Sequence, residues 1–285
     1  MNRPDATVGP AIGRHGGTPE DALEPAAGCV ALASALFAGL GATAVLLYPL
    51  IGWSFDLTKV AKGQAVYALW ASFVLQPALL LAAVATVVAY RVPVRRALGL
   101  HSVPVDVLIL AVVAVLAYSV PFDGIAAWVD NALGRQPGAL RQIAQALRDA
   151  PFGVRCATVA AIAVLPALGE EFMCRGLLLA CLRPRWGNVA AVLGQAIVFA
   201  LLHFDPVQST VALLTGIVLG MVRLRTGSLW PCVLAHLLNN LVAGLGMAGW
   251  LQLEAVRGWG AQPVVAGVCL VVGALCLSEA KGPQR

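Results

Sequence analysis

The chain has 285 residues, of which 60% are hydrophobic and 12% charged, with a net charge of +5. A soluble domain usually carries about 25% charged residues, so this balance, with a mean hydropathy of +0.84, defines a membrane protein of several spans. The Lys and Arg residues sit in short loops without interleaved aromatics, which fits membrane orientation and argues against nucleic-acid binding.

In chain order, residues 1–25 are polar and rich in Gly and Pro, with no apolar signal core, and read as a disordered tail. Apolar runs bounded by charges, Gly or Pro follow near 26–53, 66–90, 104–120, 153–182, 187–204, 207–223, 228–248 and 262–278. They predict an all-α polytopic bundle of about eight transmembrane helices. The segment ALRQIAQALRDA places Leu140, Ile143, Ala144 and Leu147 opposite Arg141, Arg148 and Asp149, as an amphipathic helix at the membrane interface does. The organisation is therefore a tail (1–25), N-terminal spans with the interfacial helix (26–150), core helices (151–250), and a last span with a C-terminal tail (251–285). Arg91, Arg95 and Arg96 anchor one loop side and put both termini in the cytoplasm. The seven cysteines lie in apolar runs without a CxxC pair and read as small hydrophobes. Gly216 and Gly220 form a GxxxG that favours close helix approach, inside the bundle rather than in a dimer.

Strongly polar side chains inside the spans are few and clustered. The fourth carries GEEFMCRG with Glu170, Glu171 and Arg175, the fifth His203, and the seventh His236, Asn239 and Asn240. A charge at mid-membrane costs roughly 2.5–3.5 kcal/mol on insertion scales, so such groups mark a functional site by default. Glu171 and Arg175 are four apart and can pair, leaving Glu170 turned away; His236 and Asn240 share a face, as do Phe199 and His203. Pro166, one turn before the glutamates, predicts a kink and a freed carbonyl near the site. At ~1.5 Å per residue, Glu170, His203 and His236 lie roughly 20, 24 and 15 Å from the cytoplasmic ends of their helices, depths at which they can meet. Such a set supports hydrolysis: a buried carboxylate activates water, an imidazole holds it, and a second imidazole with a carboxamide stabilises an oxyanion. Two histidines and a glutamate also form a common zinc kit, yet HExxH and GxSxG are absent. A transporter or partner-binding protein with an ion or proton site is the non-enzymatic alternative, although no inverted repeat is visible.

The series EExxxR (Glu170, Glu171, Arg175), FxxxH (Phe199, His203) and HxxxN (His236, Asn240) on successive helices resembles the CPBP family. That family comprises the type II CAAX prenyl endopeptidases and bacterial relatives implicated in bacteriocin processing and self-immunity. The resemblance covers the fourth through seventh spans. It implies an intramembrane endopeptidase in which Glu170 and His203 activate water and His236 and Asn240 line the oxyanion site. Glu171, Arg175 and Phe199 are then supporting residues. It implies no cofactor, with zinc on Glu170, His203 and His236 as the alternative. The expected partners are the lipid bilayer and a peptide or protein substrate near the membrane surface; the oligomeric state stays open. Ala/Arg-rich composition points to a bacterial inner membrane.

Overall fold

The computed structural model describes residues 23–51, 69–71, 73–134, 139–203, 205–252 and 262–282. Nearly all of the tail predicted over 1–25 lies outside them. Among the described residues there are no strands. In an apolar slab each backbone N–H and C=O must find its partner within its own segment, which leaves the helix as the solution for isolated spans.

The elements run α1 (Pro25–Ile51), α2 (Leu75–Ala89), α3 (Val94–Ala97), α4 (Val105–Ala132), α5 (Ala139–Arg148), α6 (Phe152–Glu171), a π-helical segment (Phe172–Leu178), α7 (Leu179–Leu201), α8 (Pro206–Thr226), α9 (Trp230–Met247) and α10 (Pro263–Glu279). Six stretches among the described residues are long and apolar enough to cross a membrane. One of them, Phe152–Leu201, has 50 residues. As a straight helix it would reach about 75 Å, far beyond a hydrocarbon core of about 30 Å. It breaks at Gly187, where φ 74° and ψ 175° leave helical space. A positive φ of this size suits a residue without Cβ. The chain folds back there, so that Leu179 and Leu182 pack on Ala191 and Val192. The apolar runs on either side of Gly187 are thus separate helical arms, as their hydropathy predicts.

Adding α10, a 17-residue apolar helix packed along α4, accounts for the remaining run. The third run is longer than its expected 104–120: α4 passes through Pro121 and continues to Ala132. Its apolar face carries on past the proline, with Pro121 and Phe122 both buried. α5 takes the place of the amphipathic segment, with Leu147 buried against Val159 and Ala248. The GxxxG glycines face α7: an added Cβ at Gly216 would lie 3.0 Å from the Ala196 Cβ, and one at Gly220 also 3.0 Å from Val192. That contact is within the bundle, as read from the sequence.

Two packing relations position the site. α2 runs against α6 and the π-helical segment, and α9 against α6. The largest apolar cluster joins α1, α2, the π-helical segment and α7 around Leu79, Phe172, Met173, Cys174 and Phe199. The charged motif sits inside this cluster.

Candidate active site

Glu171 and Arg175 are 0% exposed, His236 5% and Glu170 7%. Buried charges are tolerated only where partners replace the lost water, so the partners define what each group does. Glu171 Oε1 accepts from Arg175 Nη1 at 2.7 Å. The same oxygen lies 2.8 Å from His236 Nδ1. A carboxylate oxygen accepts, so Nδ1 carries a proton, and in the neutral tautomer Nε2 keeps a lone pair. That Nε2 stands 3.8 Å from Glu170 Oε2.

The guanidinium of Arg175 lies over the Phe199 ring, 4.2 Å from its centroid. Phe199 in turn meets the rings of His203 and His236 edge-on, at centroid distances of 5.1 and 5.8 Å. The local backbone contributes to this convergence. Residues 172–178 wind as a π-helix, and the N–H of Leu179 reaches back five residues to Cys174 O. Such inserted turns recur at functional sites, where they re-aim side chains that a regular α-helix would place elsewhere.

Glu170 is held from another direction. Gln76 on α2 donates through Nε2 to Glu170 Oε1 at 2.9 Å. The helices approach closely because residue 169 is Gly: an added Cβ would lie 2.7 Å from Gln76 Oε1 and 2.9 Å from its Cα. Glu170 Oε2, facing His236, takes no hydrogen bond from the described residues.

His203 and Asn240 stand further out, each half-buried. His203 follows the end of α7, and its Nδ1 lies 2.9 Å from Phe199 O. No hydrogen bond or ion pair among the described residues joins it to Glu170; Phe199 is the link. Asn240 Nδ2 donates to Ile162 O at 3.4 Å. Ile162 is four residues before Pro166, which has no N–H to offer it. The carbonyl that the proline was expected to free is therefore the one Asn240 takes.

The structure thus gathers Glu170, Glu171, Arg175, Phe199 and His236, and leaves His203 and Asn240 at its margin. It adds Gln76, which carries no motif. Its one sequence signal is a carboxamide inside the apolar run LQPALLLAAVATVVA. The three residues considered as zinc ligands do not all meet: Glu170 Oε2 and His236 Nε2 lie 3.8 Å apart, while His203 makes no hydrogen bond or ion pair with either carboxylate among the described residues. No group of three His, Cys, Asp or Glu side chains among the described residues is spaced to hold a metal ion.

Buried carboxylates, an imidazole and a guanidinium thus meet inside a bundle of helices long and apolar enough to cross a membrane. Residues 153–242 match the family described as type II CAAX prenyl endopeptidase Rce1-like. This stretch holds every motif position from Glu170 to Asn240, and the match supports a CPBP family intramembrane protease. No curated protein and no solved structure matches the chain.

Proposed function

We propose that the protein cleaves peptide bonds with a water held between Glu170 and His236. The observation that carries this reading is the 3.8 Å separation of Glu170 Oε2 and His236 Nε2, with His236 Nδ1 fixed by Glu171. The gap is too long for a direct hydrogen bond and short enough for one water oxygen to bond to both atoms. Such a water donates one proton toward the carboxylate and one toward the imidazole lone pair, which turns its own lone pairs outward. Attack on the peptide carbonyl transfers one proton to Glu170, which passes it to the leaving amine.

In this reading the two histidines exchange the roles that the family resemblance implies. His236 takes the water-holding place. His203, half-exposed at the end of α7, belongs with Asn240 to the side from which a peptide enters, where the second amide hydrogen of Asn240 is left for the oxyanion. Glu171 and Arg175 orient His236. The reaction in this reading needs no resident metal, and among the described residues no group of three His, Cys, Asp or Glu side chains is spaced to hold one. Arg91, Arg95 and Arg96 at the α2–α4 connection support cytoplasmic termini in a bacterial inner membrane, with a peptide substrate met near the membrane surface.

The test is cleavage of a quenched fluorescent peptide library by detergent-purified protein, with and without a strong zinc chelator. Glu170→Gln and His236→Ala should each reduce cleavage by about 10²–10⁴-fold, and the chelator should leave the rate unchanged. Cleavage by Glu170→Gln at the wild-type rate would overturn the glutamate mechanism. Loss to chelation with restoration by zinc would overturn the metal-free one.

A further inference from the structure

The two oxygens of Glu170 have different surroundings. One is bonded to Gln76 and the other faces His236. We propose that Gln76 is a positioning residue for the reaction: its amide pins Glu170 Oε1 so that Oε2 is presented to the water held by His236. The inference rests on the reading of Glu170 as the water-activating base. It goes beyond that reading in placing part of the machinery on α2, 94 residues from Glu170 and outside the matched stretch 153–242.

The terminal torsion of a glutamate is soft and nearly two-fold, so an unrestrained carboxylate does not keep one oxygen in place. The Nε2–Oε1 bond of 2.9 Å removes that freedom. Gln76 is itself held. It is 8% exposed, and Gly169 fits against its backbone and amide so closely that a methyl group there would collide. The chemical type of the partner also matters. Glu171, one residue on, is bonded to a guanidinium, whereas Glu170 meets a neutral amide. An amide orients a carboxylate without supplying a counter-charge, so the negative charge stays available to a proton from water. The same side chain serves both states of the cycle. Its NH₂ donates to Oε1 of the carboxylate and goes on donating to the same oxygen, then the carbonyl of the acid, once Oε2 has taken the proton.

A structural hydrogen bond between two buried polar groups would look the same in a static picture, so the test must separate the two roles. The measurement is steady-state cleavage of a peptide selected from the library, together with the apparent Tm in the same detergent. The variants are Gln76→Met, Glu170→Asp, the double variant, and Glu170→Gln. A misplacement of about 1 Å costs up to 10²-fold in rate. Gln76→Met should therefore lower kcat by about 10–100-fold, with KM within about two-fold. Aspartate is one methylene shorter and no longer meets Gln76. In that background Gln76→Met should change kcat by less than about three-fold, since coupled residues are not additive.

Wild-type kcat in Gln76→Met overturns the proposal, as does an equal loss in both backgrounds, the mark of a purely structural bond. If Gln76→Met does not assemble, Gln76→Asn keeps an amide that falls short of Oε1, and the same split of kcat from KM is expected of it. Glu170→Gln separates the two levels of argument. Its full activity removes the base reading itself, whereas its inactivity beside an unaffected Gln76→Met removes only the role of Gln76.

Discussion

Replacing Arg175 with Met tests whether Glu171 is held as a buried ion. Met keeps most of the apolar stem of the arginine and deletes the guanidinium. Glu171, 0% exposed, then loses its 2.7 Å partner and retains His236 Nδ1 at 2.8 Å. Breaking one side of a buried ion pair costs about 3–5 kcal/mol, because the remaining charge has no water to return to. Loss of the cation over Phe199 adds to this, by up to about 2 kcal/mol where the pair is desolvated. For a chain of this size each kcal/mol moves Tm by about 2–4 °C, so the pair alone predicts a fall of about 6–20 °C. The informative partner is the double variant Arg175→Met/Glu171→Gln. It leaves no unpaired charge, and a buried pair replaced by neutral groups of similar volume is often no less stable than the original. The double variant should recover most of the lost Tm. It should still cleave slowly, since the amide that replaces the Glu171 carboxylate accepts from His236 Nδ1 without the charge that steadies the ring. Thermal melts followed by size-exclusion chromatography in one detergent give the stability, and peptide cleavage gives the rate. A double variant no more stable than Arg175→Met would refute the argument, since the single loss would then come from packing and not from an orphaned charge.

Two further substitutions probe the neighbouring contacts. Gly169→Ala puts a methyl group 2.7 Å from Gln76 Oε1. It should cost about 1–3 kcal/mol by overpacking, read as a lower Tm, and slow cleavage more than Gly→Ala at Gly267, where an added Cβ meets nothing within 4 Å. Asn240→Leu strands the Ile162 carbonyl and should cost about 1–3 kcal/mol. In a Pro166→Ala background the restored backbone N–H of residue 166 can bond that carbonyl, and the cost in Tm of Asn240→Leu should shrink.

The spans were legible because a membrane imposes one simple rule on composition. Apolar runs of spanning length, cut at Gly187, recur as the helices α1, α2, α4, α6 to α10. Relations within one helix were legible too, because spacing sets them directly: Glu171 meets Arg175, and Pro166 frees the Ile162 carbonyl. What spacing does not carry is the choice among distant partners. Both His203 and His236 fit the motif order. Which of them meets the glutamates depends on α7 ending at Leu201 and on α9 packing along α6, a contact across 65 residues. Gln76 is further still, and its meaning appears only once α2 is laid against Gly169. The π-helical turn at Phe172–Leu178 was hidden for a different reason. Its residues are apolar except for Arg175, and nothing in their periodicity distinguishes an inserted residue from a regular turn.

The adjacent glutamates are chemically identical, and their environments separate them. Glu171 meets a cation at 2.7 Å and an imidazole N–H at 2.8 Å; Glu170 meets a neutral amide at 2.9 Å. If that difference is what makes one a scaffold and the other a base, giving Glu170 a cation of its own should abolish the distinction. Gln76→Lys does this with little change in side-chain length. The new ammonium would lie beside the Glu170 carboxylate in a buried, low-dielectric place, where opposite charges attract strongly. The cluster would then hold two carboxylates and two cations, and the apparent Tm should be at least that of Gln76→Met, which gives Glu170 no partner. Cleavage should nevertheless fall by about 10²-fold or more, the size of the loss when a positioned general base is disabled. Gln76→Lys therefore separates stability from catalysis in opposite directions. A lysine variant that cleaves at the wild-type rate would show that the neutrality of the Gln76 partner has no bearing on the chemistry of Glu170.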